Sequence, residues 1–166
     1  MRKLIWPVLF LFLLLVQGAA SVFYTGWLAF DLPLVALYGF AVLYGADYGV
    51  AAGIFIGLLQ DAMTTGIFGF HILTRSGVGY LTGLTKDKVV KDNWTYYIGS
   101  IGLVSFALRF CYWWVELIRT GWQWRIFPGF LWDTLGYCVG NMLAAVPVIY
   151  LVKKIYEWVR KEDISY

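Results

Sequence analysis

The stretch GLLQDAMTTGIFGFHILTR, Gly57 to Arg75, decides how this chain is read. It brings an acid, Asp61, the only histidine, His71, and a base, Arg75, together in a sequence that is otherwise mostly apolar. Ionisable groups in such surroundings are costly unless they meet partners, so the question is what lies opposite them. The centre of the stretch reads as a turn between two helical segments. Asp61, Thr64 and Thr65 can accept from the free N–H groups that open the following helix. Gly66 and Gly69 let the backbone turn and then pack closely.

Outward from this turn, the 166 residues are 61% hydrophobic and only 14% charged, with a mean hydropathy of +0.70. Soluble domains carry roughly 25% charged residues. The composition implies an integral membrane protein, and the longest polar stretch, Thr85 to Asn93, leaves no room for a separate soluble domain. We therefore read residues 1–166 as a single integral membrane domain in contact with the lipid bilayer. The net charge of +3 fits basic residues gathered in cytoplasmic loops, with no nucleic-acid partner. Cys111 and Cys138 show no metal or redox spacing and read as small apolar packing residues. The apolar run from Leu4 to Phe23 is long enough to cross a bilayer and is expected to be retained as a first helix.

Six spans are expected: Leu4–Phe23, Leu32–Tyr44, Gly49–Leu59, Ile67–Leu84, Trp94–Glu116 and Phe127–Tyr150. The fold class is thus an all-α membrane protein, a compact bundle of six transmembrane helices with short second and third spans. Basic residues set the orientation. With six spans, Arg2, Lys3, Lys86, Lys88, Lys91, Lys153, Lys154, Arg160 and Lys161 fall on one side, and only Arg119 and Arg125 on the other. This asymmetry puts both termini in the cytoplasm. Trp27, Trp94, Trp113, Trp114, Trp122, Trp124 and Trp158 lie at span ends or in short connections, where tryptophan prefers the headgroup level.

On this topology four charges from different spans share a level. Asp61 ends the third span near the outer face. At 1.5 Å per residue Arg75, Arg109 and Asp133 lie roughly 10 Å beneath it. Opposite charges at one depth predict a paired network of Asp61, Arg75, Arg109 and Asp133 facing the bundle interior. His71 belongs to the same face as Arg75, four residues earlier on the same helix. Two rows of small residues flank this layer: Gly49, Gly53 and Gly57 on one side, and Ser76, Gly79 and Gly83 on the other. Together with Gly66 and Gly69 they form a face for close helix packing or partner docking. The fourth span, with Thr74, Arg75, Ser76 and Thr82, is too polar to face lipid all round and is expected to be the most covered helix.

The segments FDLPLVALYGFAVLYG and GIFIGLLQDAMTTGIFGFHILTRSGVGYLTG resemble the rod shape-determining MreD family. The resemblance rests on Asp31 opening the second span, the Gly57-Leu58-Leu59-x-Asp61 turn, Gly66 and Gly69, and the Tyr80-Leu81-x-Gly83 helix end. It covers about Asp31 to Gly83. It implies a multi-pass protein of the bacterial inner membrane, part of the cell-elongation (rod) complex. The implied partners are MreC, the actin-like MreB and the rod-complex peptidoglycan synthases. It also implies a fold similar to the substrate-binding subunits of energy-coupling-factor vitamin transporters.

Two functions follow as expectations. One is a non-enzymatic scaffold that docks MreC through the glycine face or an aromatic outer rim, helping to control cell shape and peptidoglycan synthesis. The alternative is a substrate-binding subunit of a vitamin transporter, its pocket lined by the charged layer. No nucleophile–base pair, metal motif or phosphate loop is present in the sequence, so neither an enzyme nor a cofactor is expected.

Overall fold

The structure, a computed structural model, describes residues 4–23, 27–64, 66–87, 93–121 and 127–163. Arg2, Lys3, Lys88, Lys91, Trp122, Trp124 and Arg125, which the sequence uses for topology and the aromatic belt, lie outside the described residues. Among the described residues every regular element is helical: α1 (Ile5–Phe23), α2 (Leu32–Tyr44), α3 (Ala46–Met63), α4 (Phe70–Gly83), α5 (Trp94–Thr120) and α6 (Phe127–Asp163). Two of them, α5 and α6, are long and apolar enough to cross a membrane.

The second helix is the hub. Eleven consecutive residues of α2, Pro33 to Leu43, are buried. A helix that is apolar on all sides belongs in a core or in lipid; here protein covers it, since α1, α3, α4 and α6 all pack on α2. Its start is held twice. Asp31 caps it by accepting from the Leu34 N–H at 3.0 Å. Gln17 of α1 accepts from the Leu32 N–H at 2.8 Å and donates to the Phe30 carbonyl at 2.6 Å. It stops at Gly45, whose φ of 101° lies in the region that disfavours side chains. An aromatic cluster ties α1 to this hub: the Trp6 ring meets Phe40 at 4.8 Å, and its indole N–H donates to the Tyr44 hydroxyl at 3.1 Å.

Expectation and structure differ in several places. The most covered helix is α2 and not α4. In α4 the hydroxyl groups bond back to their own helix: Thr74 and Thr82 donate to the Phe70 and Val78 carbonyls at 2.8 and 2.7 Å, and Ser76 to Leu73 at 3.0 Å. Hydroxyls satisfied this way need no neighbouring protein, and Leu73, Tyr80 and Leu81 are exposed. The third helix is not short. It has 18 residues, because it begins directly after Gly45 and carries Asp61 inside its last turn. The short elements are α2, with 13 residues, and α4, with 14. The last helix runs past Tyr150 to Asp163, because its later turns still bury Val152 and Val159 and set Tyr156 edge-on against Tyr44 at 5.0 Å. Finally, Cys111 is exposed, so only the half-buried Cys138 has a packing environment.

The closest approach is between α3 and α4. A methyl group added to Gly49 would overlap the backbone of Gly79, and one added to Gly79 would overlap Gly49. Added to Gly53 it would strike the Arg75 carbonyl and the Ser76 Cα, to Gly57 the backbone of His71 and Ile72, and to Gly83 that of Ala46. Gly49, Gly53, Gly57, Ser76, Gly79 and Gly83 therefore form one internal seam. The glycine row of α3 is consumed by α4 and is not open to a partner. Gly66 and Gly69 take no part in the seam; a methyl group added to either would meet nothing within 4 Å, and Gly69, with a φ of 94°, provides the left-handed turn before α4.

Candidate functional site

A buried polar layer sits where the ends of α3 and α4 meet the start of α2 and the first half of α6. Asp61 is its first element. One carboxylate oxygen accepts from the Gly69 and Ile72 N–H groups at 2.9 and 3.1 Å; the other accepts from the His71 N–H at 3.0 Å and lies 2.8 Å from His71 Nδ1. A helix leaves its first N–H groups without internal partners and carries a partial positive charge at that end. Gly69 has no side chain with which to cap, so α3 supplies the cap for α4 from outside. Capping, the simplest reading of Asp61, is its role here.

Arg75 is the second element, and its acid is Asp31, not Asp61. A terminal nitrogen of Arg75 (Nη2) pairs with Asp31 Oδ2, and its Nε donates to Gln60 Oε1 at 2.8 Å. Tyr137 of α6 donates to the same Asp31 oxygen at 2.9 Å. The Asp31 N–H donates to Asn141 Oδ1 at 2.6 Å, and Asn141 Nδ2 to Ser105 Oγ at 2.9 Å. One residue thus links α2, α4 and α6, and reaches α5 through Asn141. Glycines again permit the approach: the carbonyls of Trp27 and Ala29 lie against Gly136 and Gly140, where any side chain would collide with them.

Of the expected network, the structure brings Asp61 to His71 and puts Arg75 beside them with a different acid. Asp133 is exposed and takes no part. The buried residues of α6 include Phe130, Thr134, Asn141 and Ala145. Asp133 stands at the edge of that face, three residues after Phe130 and four before Tyr137, and its side chain is exposed there. Shared depth suggests which elements to search for a partner, but it does not say which residue on them is the partner. The signal for Asp31 was available: an acid one residue before a helix with an early proline is an N-cap, and this one ends a segment at the same level.

Arg109 of α5 completes the layer, with no acid paired to it among the described residues. Its guanidinium carbon sits 5.7 Å from the Tyr137 ring centre and 6.0 Å from that of Phe130, close enough for cation–π attraction. Its Nε, like Nη1 of Arg75, is buried without a hydrogen-bond partner. Beside these groups is a cavity of about 200 Å³, lined by Asp31, His71, Thr74, Arg75, Arg109 and Tyr137 among others. Among the described residues no three His, Cys, Asp or Glu side chains gather as metal ligands would. No family model matches the chain, and neither a curated protein nor a solved structure matches it.

Proposed function

We propose that this chain is a six-span bundle in a bacterial inner membrane, with both termini cytoplasmic, acting as a non-enzymatic scaffold of the cell-elongation complex in the manner of the MreD family. The observation that carries the reading is where the resembling residues fall. Asp31 joins α2 to α4 and α6, Asp61 caps α4, and Gly57 and Gly83 are seam positions of the α3–α4 hairpin. The segment that resembles the family is thus the part of the chain that fixes how four helices dock, which suits a protein whose task is to hold a shape for others. The proposed partners are MreC, docked directly, and MreB and the rod-complex peptidoglycan synthases. With the glycine row closed, the docking surface would be the aromatic outer rim.

The orientation rests on the basic residues, nine on the proposed cytoplasmic side against two on the other. The cavity beside Arg75 and Arg109 favours a second reading, a substrate-binding subunit of an energy-coupling-factor transporter. Affinity purification of the tagged chain from membranes, followed by mass spectrometry, separates the two. The scaffold reading expects MreC and elongation enzymes; recovery of transporter ATPases without any elongation protein would overturn it.

A further inference from the structure

We propose that the crevice between α4 and α5 is a binding site for an oxyanion, presented by a lipid headgroup or free in solution. Charge balance is the first argument. Arg75 is neutralised by Asp31, and the Asp61 carboxylate is taken up by three backbone N–H groups and His71. Asp133, the remaining acid the sequence puts at this level, is exposed. Among the described residues Arg109 therefore brings a positive charge into the layer with only aromatic faces to receive it.

Hydrogen bonding is the second argument, and it is independent of the first. Two guanidinium donors, Arg75 Nη1 and Arg109 Nε, are buried and unpartnered, and both residues line the same cavity. Arg75 itself is 5% exposed, so it does not satisfy that donor by reaching bulk water. Buried donors of this kind are nearly always paired. Planar guanidiniums match the geometry of phosphate and carboxylate oxygens better than any other side chain does. A single oxyanion in that cavity would lie beside both guanidiniums and cancel the surplus charge.

The shape fits such an occupant. About 200 Å³ is several times the roughly 30 Å³ that one water occupies in the liquid. Among the described residues α4 and α5 do not pack along one another; they meet where the Phe70 and Tyr112 rings touch at 5.9 Å. Leu108, Phe70 and Tyr112 add apolar surface to the lining beside the arginines. A site with charged groups, apolar lining and a gap between two helices suits an anionic headgroup whose chain leaves through the gap. The inference rests on the membrane placement proposed above but not on the identity of the scaffold's partners.

The test uses the full chain purified in nanodiscs of phosphatidylcholine doped with phosphatidylglycerol, with retained lipids counted by native mass spectrometry. The wild type is expected to retain phosphatidylglycerol at least about tenfold over its share of the bilayer. Arg109→Gln and Thr74→Leu, which remove the charge and fill the cavity, are expected to bring that ratio near one. Arg119→Gln, exposed at the end of α5, is expected to leave it unchanged. Inorganic phosphate at constant ionic strength discriminates the source: competition at millimolar levels assigns the site to a free anion, and its failure assigns it to the headgroup. No enrichment by the wild type, with no stabilisation by phosphate, overturns the proposal, as does enrichment that survives both cavity variants. Should Arg109→Gln fail to fold, Thr74→Leu alone decides, since the Thr74 hydroxyl bonds only within its own helix. These readouts are independent of whether elongation proteins co-purify.

Discussion

Replacing Asp31 by alanine should be the most damaging single loss of charge in the molecule. Asp31 is 6% exposed and its partner Arg75 is 5% exposed. Without the carboxylate, the guanidinium keeps only the Gln60 contact at 2.8 Å, and Tyr137 loses its acceptor. Breaking a buried pair by removing one partner costs about 3–5 kcal/mol. Loss of the cap on Leu34 adds about 1 kcal/mol. The sum, about 4–6 kcal/mol, is a large part of the roughly 5–15 kcal/mol that a domain has. For a chain of this size it corresponds to a fall in melting temperature of roughly 10–20 °C. Thermal unfolding in detergent, followed by tryptophan fluorescence and by loss of the monodisperse gel-filtration peak, measures it. Asp133→Ala, at an exposed position, should stay within about 0.5 kcal/mol of wild type. Adding Arg75→Met to Asp31→Ala removes the stranded charge and should restore up to about 3 kcal/mol. Equal effects of Asp31→Ala and Asp133→Ala, or strictly additive effects of the Asp31 and Arg75 changes, would refute the pairing.

The seam and the cap give two further contrasts. Gly53→Leu drives a side chain into the Arg75 carbonyl and should cost at least the roughly 1–3 kcal/mol of an overpacked core, whereas Gly77→Ala, in open space in the same hairpin, should gain about 0.5–1 kcal/mol in the same melts. Asp61→Ala strands the N–H groups of Gly69, His71 and Ile72 and should cost about 2–3 kcal/mol; His71→Ala leaves those three bonds in place and should cost about 1 kcal/mol. A chemical-denaturation series in one detergent ranks the two, and the reverse order would contradict the capping role.

The presence of six helices was readable because each carries an apolar run, but their ends were readable only where a local stop marks them. The start and end of α2 agree with the sequence reading, since Asp31, Pro33 and Gly45 are local signals that need no tertiary context. The boundary between α3 and α4 was misjudged because a charged residue was taken to end a helix. Asp61 instead lies within the last turn of α3 and spends its charge on the next helix. The small-residue rows were legible as close packing, and that is the use the structure makes of Gly49, Gly53, Gly57, Gly79 and Gly83. Which neighbour they meet depends on the hairpin bringing α4 against α3, which spacing alone does not specify. The polar layer was half legible. Asp61, His71 and Arg75 could be grouped from their spacing, but pairing Arg75 with Asp31 spans 44 positions and turns on helix phase, which the depth argument lacked. The coverage of α4 was misread for a related reason: serine and threonine count as polar in a sequence, yet here they bond to carbonyls on their own helix.

The arrangement of these helices across a membrane is the premise of everything proposed for the chain, and substituted-cysteine labelling tests it most directly. In a background with Cys111 and Cys138 replaced by serine, single cysteines at Gly121, Asp87 and Lys161 are treated with a membrane-impermeant maleimide, first in intact spheroplasts and then after lysis. Six spans with cytoplasmic termini predict that only the position 121 cysteine reacts in intact spheroplasts, and that positions 87 and 161 react only after lysis. Labelling of positions 87 and 121 from the same side would contradict the six-span bundle.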